Sequence, residues 1–188
     1  MTVLLKRFET CSLDNFDISS QEQKEMVDYF KDCISNGFKD NIVVTGSVGT
    51  GKTHLAYALV NALEEIKEYS TTRIYTAKTV NITTIKSMID NIRITWKKEA
   101  DETDMRIVQD YSKIPLLIID EVGVQYGSES ERIELFEIFN TRYGNELPTM
   151  IISNLNKEQM AKVLGQRIID RLYSGAKIFE LIGKSKRS

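Results

Sequence analysis

The chain has 188 residues and a formal net charge of −2, with 41% hydrophobic and 28% charged residues, an ordinary globular balance in a length suited to one domain with a real core. No overall basic footprint exists, so contact with nucleic acid would need a local patch, and no apolar run approaches the ~18 residues of a membrane helix. Cys11 and Cys33 offer neither a disulfide framework nor a paired metal motif, and read as reduced thiols in a cytoplasmic protein.

Residues 1–18 look irregular, with Phe8 and Phe16 in need of a surface to pack on. Ser19, Ser20, Gln21 and Glu22 form a capping-box pattern, and Met26, Tyr29, Phe30, Cys33 and Ile34 follow at helical spacing until Asn36 and Gly37. The expected division is an N-terminal segment, 1–40, with one helix packed on the core, and a main domain, 41–188.

A first strand is predicted over 41–45, and Gly46, Ser47, Val48, Gly49, Thr50, Gly51, Lys52 and Thr53 follow it directly. This is Gly, four residues, Gly-Lys-Thr, the pattern of a phosphate-binding loop. Glycines let successive backbone N–H groups converge on phosphate oxygens, a lysine reaches the β- and γ-phosphates, and a threonine hydroxyl can ligate Mg²⁺. The helix expected from Lys52 to about Lys67, with Leu55, Leu59, Ala62, Leu63 and Ile66 as its buried stripe, adds a positive N-terminal end to the anion site. The pattern and its strand-then-helix setting imply a bound nucleoside triphosphate, with Mg²⁺ at Thr53. His54, the single histidine, follows the loop and reads as a residue that packs, caps or touches the nucleotide.

A second strand is expected over 73–77, then an amphipathic helix marked by Ile82, Ile85, Ile89 and Ile92, with Trp96 continuing its stripe. Lys86, Arg93, Lys97 and Lys98 form a basic set on its other faces. The acidic stretch 99–104 suggests a break before a short helix reaching Tyr111.

Pro115 opens Leu116, Leu117, Ile118 and Ile119, and Pro148 opens Thr149, Met150, Ile151, Ile152 and Ser153. Proline suits the first residue of a strand, and continuous apolar runs suit strands covered on both faces. Between them a helix begins near Ser128 and carries Ile133, Phe136, Phe139 and Tyr143. Helices near 156–164 and 166–173 and a strand over 177–181 complete an α/β fold, a five-stranded parallel sheet sandwiched by helices with little or no C-terminal lid. Ligands of such sheets sit at the carboxyl ends of the strands, where the loop, Asp120 with Glu121, and Ser153 with Asn154 all fall.

Asp120 is placed to share Mg²⁺ with Thr53, and Glu121 to polarise a water as general base. Asn154 either bonds the γ-phosphate or its water, or merely ends a strand. Arg167 and Arg171, four apart on one helix face, could each reach a phosphate or decorate a salt-bridged surface.

Residues 46–56, then Leu117 to Gly123, Ser153 with Asn154, and the run from Leu164 to Leu172 together resemble the DnaC/IstB-like branch of AAA+ P-loop ATPases. Arg7, Phe8, Phe16 and the basic run 183–187 fit the same pattern. The resemblance implies that Arg167 is a finger into a neighbour's ATP site, that Asn154 is a first sensor, and that Arg187 is a second sensor. Lys186 departs from the pattern, standing where the family usually has an aromatic. It also implies ATP-dependent ring or spiral assembly, single-stranded DNA binding, and delivery of a replicative hexameric DNA helicase, with the adenine pocket in residues 8–18. The rival readings are an IstB-type transposition helper, an ATP-switched DNA-binding module without a helicase partner, and a small-molecule kinase, whose arginine-bearing lid the sequence does not clearly contain.

Overall fold

The structure, a computed structural model, describes residues 6–65, 80–97, 102–123, 128–183 and 185–186. Its centre is a sheet of five parallel strands, β1 (Ile42–Gly46), β2 (Val80–Thr84), β3 (Leu116–Val122), β4 (Thr149–Ser153) and β5 (Lys177–Leu181), in the order β2-β3-β4-β1-β5. Around it lie α1 (Gln21–Asn36), α2 (Lys52–Glu65), α3 (Ile85–Thr95), α4 (Glu102–Lys113), α5 (Glu129–Gly144), α6 (Lys157–Leu164) and α7 (Gln166–Tyr173).

Successive strand residues point to opposite faces, and this alternation sorts the apolar runs into two cores. Ile42, Val44, Leu116, Ile118, Met150, Ile152, Phe179 and Leu181 meet Met26, Val27 and Phe30 of α1 and Leu55, Leu59 and Leu63 of α2. Val43, Leu117, Ile119 and Ile151 meet Ile89 and Ile92 of α3, Leu135, Ile138 and Phe139 of α5, and Ile168, Ile169 and Leu172 of α7. The result is a three-layer α/β sandwich with a core on each face of the sheet. Both scattered aromatics of the first segment pack: Phe8 stacks on Tyr57 with ring centres 4.4 Å apart, and Phe16 is buried.

Several expectations shift. The strand expected over 73–77, and Ile66 of the α2 stripe, lie outside the described residues. The second described strand is β2, so Ile82 belongs to a strand, and α3 starts after it with Thr84 as N-cap, accepting a bond from Ser87 N–H. Trp96 caps α3 and is 48% exposed, so it does not continue the buried stripe. On α5, Phe139 is buried, but Ile133 and Tyr143 face outward, because Leu135, Ile138, Phe139 and Arg142 form the inner face. The cap of α1 also sits one residue on: Ser20 Oγ accepts from Gln23 N–H, and the Gln23 side chain accepts from Ser19 N–H at 2.7 Å.

Parallel pairing brings the carboxyl ends of β1, β3 and β4 to one edge. At the opposite edge Arg142, 1% exposed, ties the elements together. Its guanidinium donates to Thr149 Oγ1 at 2.8 Å and to the carbonyls of Tyr111, Ile114 and Pro148 at 2.7 Å each. Burial pulls its pKa down to about 9, so it remains a cation at neutral pH.

Candidate nucleotide site

The loop between β1 and α2 is shaped from outside as well as by its own residues. Gly46 has φ +131° and β5 passes so close that a Cβ would collide with the Leu181 carbonyl, which itself accepts a bond from Ser47 N–H at 3.2 Å. Gly49 has φ +83°, and there a Cβ would strike Ser185, while Lys186 N–H donates to the Gly49 carbonyl at 2.8 Å. Glycine is required at both positions for backbone conformation and for space.

Lys52 opens α2 and is 6% exposed. Its Nζ donates back to the carbonyls of Gly46 at 2.8 Å and Ser47 at 2.6 Å, which folds the ammonium into the concave side of the loop. Thr50 Oγ1 donates to the same Ser47 carbonyl at 2.9 Å. Thr53 Oγ1 donates to Asp120 Oδ2 at 2.8 Å, so the hydroxyl in the first turn of α2 and the carboxylate of β3 converge although β1, which leads into α2, is not adjacent to β3.

Asp120 and Glu121 sit in an irregularity of β3, where the register with β4 shifts between Ile119 and Val122. The Asp120 carboxylate accepts Glu121 N–H at 2.7 Å. Glu121 has φ +57°, a conformation costly for a residue with a Cβ, and its side chain is exposed at the cavity wall. Bulges of this kind redirect a side chain at a site. Ser153 Oγ donates to the Val122 carbonyl at 2.5 Å and accepts from Leu155 N–H at 2.9 Å, which holds the end of β4 against the bulge beside Asn154.

These groups line a cavity of about 490 Å³. One wall is Val48, Gly49, Gly51, Lys52, Thr53, Asp120, Glu121, Ser153 and Asn154. The other includes Arg7, Phe8, Asn15, Phe16 and Asp17, within or beside the 8–18 segment that the resemblance pointed to. Lys186 bridges the two walls: its Nζ lies 4.4 Å from the Phe16 ring centre and bonds the backbone oxygen of Asp17.

His54 lies at the rim of this second wall. Its Nδ1 is 3.5 Å from Cys11 Sγ, its ring is 5.3 Å from Phe16, and its Nε2 is buried with no hydrogen-bond partner among the described residues. Burial first, and the Lys186 charge second, hold its pKa below the usual histidine value, so the ring is neutral at pH 7. Burial raises the Cys11 thiol, which is therefore protonated too.

Arg167 and Arg171 separate clearly. Both guanidiniums stack on Phe136, at 4.3 and 4.6 Å from the ring centre. Arg171 is further tied to Asn140 Oδ1 at 3.0 Å and to the Arg167 carbonyl at 2.9 Å. Arg167 is exposed and is not among the residues lining its own chain's cavity. Arg187, Lys98 and the loop carrying Gln125 and Tyr126 lie outside the described residues. In the basic set of α3, Lys86 pairs with Asp90 at 2.5 Å, and Arg93 pairs with the buried Glu131 at 2.5 Å.

The cradle suits a nucleoside triphosphate. It has a loop whose glycine positions leave no room for Cβ atoms, an ammonium held inside it, and the N-terminus of a 14-residue helix behind it. Thr53 and Asp120 supply one hydroxyl and one carboxylate, and among the described residues no cluster of three or more histidine, cysteine or acidic side chains exists. That donor set fits Mg²⁺, which keeps waters and takes phosphate oxygens, rather than a metal caged by protein.

Residues missed from sequence include Gln23, whose side chain reaches the loop, and Arg142; neither carries a motif, and only the tertiary fold reveals them.

The model of a family described as IstB-like ATP binding protein matches residues 4–188. The chain is 31% identical over 170 residues to the replicative helicase loader DnaC of Buchnera aphidicola subsp. Baizongia pistaciae, covering 89% of this chain and 65% of that relative's length. A crystal structure of a DnaC helicase loader superposes with a TM-score of 0.76 at 21% identity, covering 94% of this chain and 99% of that one. AMPPCP-bound DnaA from Aquifex aeolicus superposes with a TM-score of 0.72 at 25% identity, covering 92% of this chain and 50% of that one. Among the described residues no helix is long and apolar enough to cross a membrane.

Proposed function

Because the chain belongs to the family of IstB-like ATP-binding proteins, we propose that it is a Mg²⁺-dependent ATPase of DNA replication that loads a replicative hexameric helicase onto single-stranded DNA in the cytoplasm. The observation that carries the ATPase reading is the 2.8 Å contact between Thr53 and Asp120, which unites the phosphate loop with the acidic end of β3. The helicase step is supported by the likeness to a DnaC over 89% of this chain, although the chain spans only about 65% of that relative's length.

In this reading Lys52 leaves the carbonyls of Gly46 and Ser47 and bonds the β- and γ-phosphates, joined by N–H groups of residues 46–53. Thr53 and Asp120 would hold Mg²⁺, which when bound would neutralise charge on the phosphate oxygens. Glu121 accepts a proton from water as the water oxygen attacks the γ-phosphorus and the bond to the β–γ bridging oxygen breaks. Asn154 orients that water, and His54 and Lys186 close the nucleoside end, while Arg187 stays a proposed second sensor. Arg167 serves the site of a neighbouring copy, which agrees with its exposure and its absence from its own cavity.

The test is ATP turnover against protein concentration, with and without single-stranded DNA. Specific activity should rise as the chain assembles, and Glu121→Gln should trap ATP-bound oligomers. Arg167→Ala should cut turnover by about 10³-fold while leaving ATP affinity unchanged. Full turnover by a monomer with Arg167→Ala would overturn the shared site. Pull-down of the replicative helicase tests the loading role. A preference for duplex over single-stranded DNA at fixed salt would favour the transposition-helper reading, for which the IstB-like family match speaks.

A further inference from the structure

Gln23 is a polar residue of α1 with no place in any nucleotide-binding pattern, yet it is 3% exposed. Both ends of its amide are used. Oε1 accepts from Ser19 N–H at 2.7 Å and from Ser19 Oγ at 3.0 Å. Nε2 donates at 3.1 Å to the carbonyl of Thr50, across 27 residues of sequence, in a buried bond. We propose that Gln23 is a positioning residue for the phosphate loop, fixing the peptide between Thr50 and Gly51 so that nucleotide meets a preformed cradle; this rests on the nucleotide reading of the site.

The physical reason lies in the planarity of the peptide unit. Its C=O and N–H point in opposite directions, so holding the Thr50 oxygen toward α1 turns the Gly51 N–H away from α1. Gly51 lines the cavity and has φ +93°, in a region where glycine alone rotates freely. Without an anchor that peptide can flip, and a flipped peptide would present an oxygen where a phosphate needs a donor.

The anchor reaches further through one carbonyl. Thr50 Oγ1 and Lys52 Nζ both donate to Ser47 O, at 2.9 and 2.6 Å. A continuous set of bonds therefore runs from Ser19 through Gln23 and Thr50 to the loop ammonium. With its central bond between Gln23 and Thr50 buried, such an arrangement acts as a unit, and loss of its outer member lowers the population of the binding-competent loop.

The experiment titrates ATP, ADP and AMP into wild type, Gln23→Met and Ser20→Ala, alongside thermal melts without nucleotide. Gln23→Met keeps length and apolar packing but removes both sets of bonds; Ser20→Ala weakens the α1 cap without touching Thr50. The expected result is an affinity loss of about tenfold for ATP and ADP in Gln23→Met, with AMP unaffected. Ser20→Ala should lower Tm by a few degrees and leave ATP affinity within about twofold. The proposal is overturned if Gln23→Met binds ATP like wild type, or if both variants lose affinity only in proportion to their fall in Tm. Should Gln23→Met not fold, Gln23→Glu replaces it: the carboxylate still accepts from Ser19 but cannot donate to Thr50, so unchanged ATP affinity there would equally overturn the role. Wild type that binds no ATP would instead refute the nucleotide site itself.

Discussion

Two buried cations sit at opposite edges of the same sheet, and their surroundings differ in kind. Arg142, at the amino ends of β3 and β4, donates to one hydroxyl and three carbonyls that no ligand can reach to replace. Lys52, at the carboxyl end of β1, donates to two carbonyls of the loop that it helps to shape, beside an open cavity. Guanidinium is a rigid fork suited to fixed acceptors, whereas ammonium is a point charge on a flexible stem that can change partners. One cation is locked into the fold, and the other is held ready for exchange.

The strongest way to break that contrast is to remove each cation in turn. Lys52→Ala should abolish measurable ATP binding, a loss of at least about 100-fold or ~3 kcal/mol, while urea denaturation changes little. Arg142→Met should do the reverse. It strands three carbonyls and a hydroxyl, so unfolding free energy should fall by about 3 kcal/mol or more, with ATP affinity of the folded fraction unchanged. If Arg142→Met were as stable as wild type, the view of that edge as a structural lock would fail.

A smaller effect is expected at Glu121, where an acid occupies a left-handed conformation. Glu121→Gly should stabilise the fold by up to about 1 kcal/mol while eliminating turnover, showing that the bulge trades stability for the placement of a carboxylate. A fall in stability would instead mean that the side chain helps to hold the bulge.

The smallest effect concerns pH. The His54 pKa is lowered in the fold, so below its usual value of 6.5 the unfolded chain takes up a proton that the folded chain resists. This residue's contribution to stability is complete above that pH and is lost as pH falls toward the folded value. His54→Gln should flatten the acid limb of a Tm-against-pH profile below about pH 6.5. An unaltered profile would show that the buried ring is not what titrates there.

Much of the site was legible because its chemistry constrains neighbours in sequence. A phosphate cradle needs its glycines, lysine and threonine within eight positions, and Asp120 directly follows the buried apolar run of β3. Apolar runs of β3 and β4 were legible for the same reason, since both their faces are covered. The register of β2 was not. Ile82, Ile85, Ile89 and Ile92 are spaced like one helical stripe, yet the first of them closes one core from a strand while the others close the opposite core from α3. Ile133 and Tyr143 misled in another way, being exposed, with Tyr143 beside Arg171 rather than toward the core. Gln23 and Arg142 look like solvated helix residues in sequence, because the partners that bury them lie outside their own helices, in the loop at Thr50 for Gln23 and around Tyr111, Ile114, Pro148 and Thr149 for Arg142.

The bracing of the loop by the last strand has a bearing on synthesis. The nucleotide motif is complete by residue 53, but Ser47 needs the Leu181 carbonyl and Gly49 is bonded by Lys186. A nascent chain therefore carries the whole motif while well over a hundred further residues are made, without the partners that shape it. ATP cannot meet a finished cradle until β5 and the residues beyond it have left the ribosome and docked beside β1. Partly made chains therefore lack two of the bonds that shape the loop, although they already carry its whole sequence.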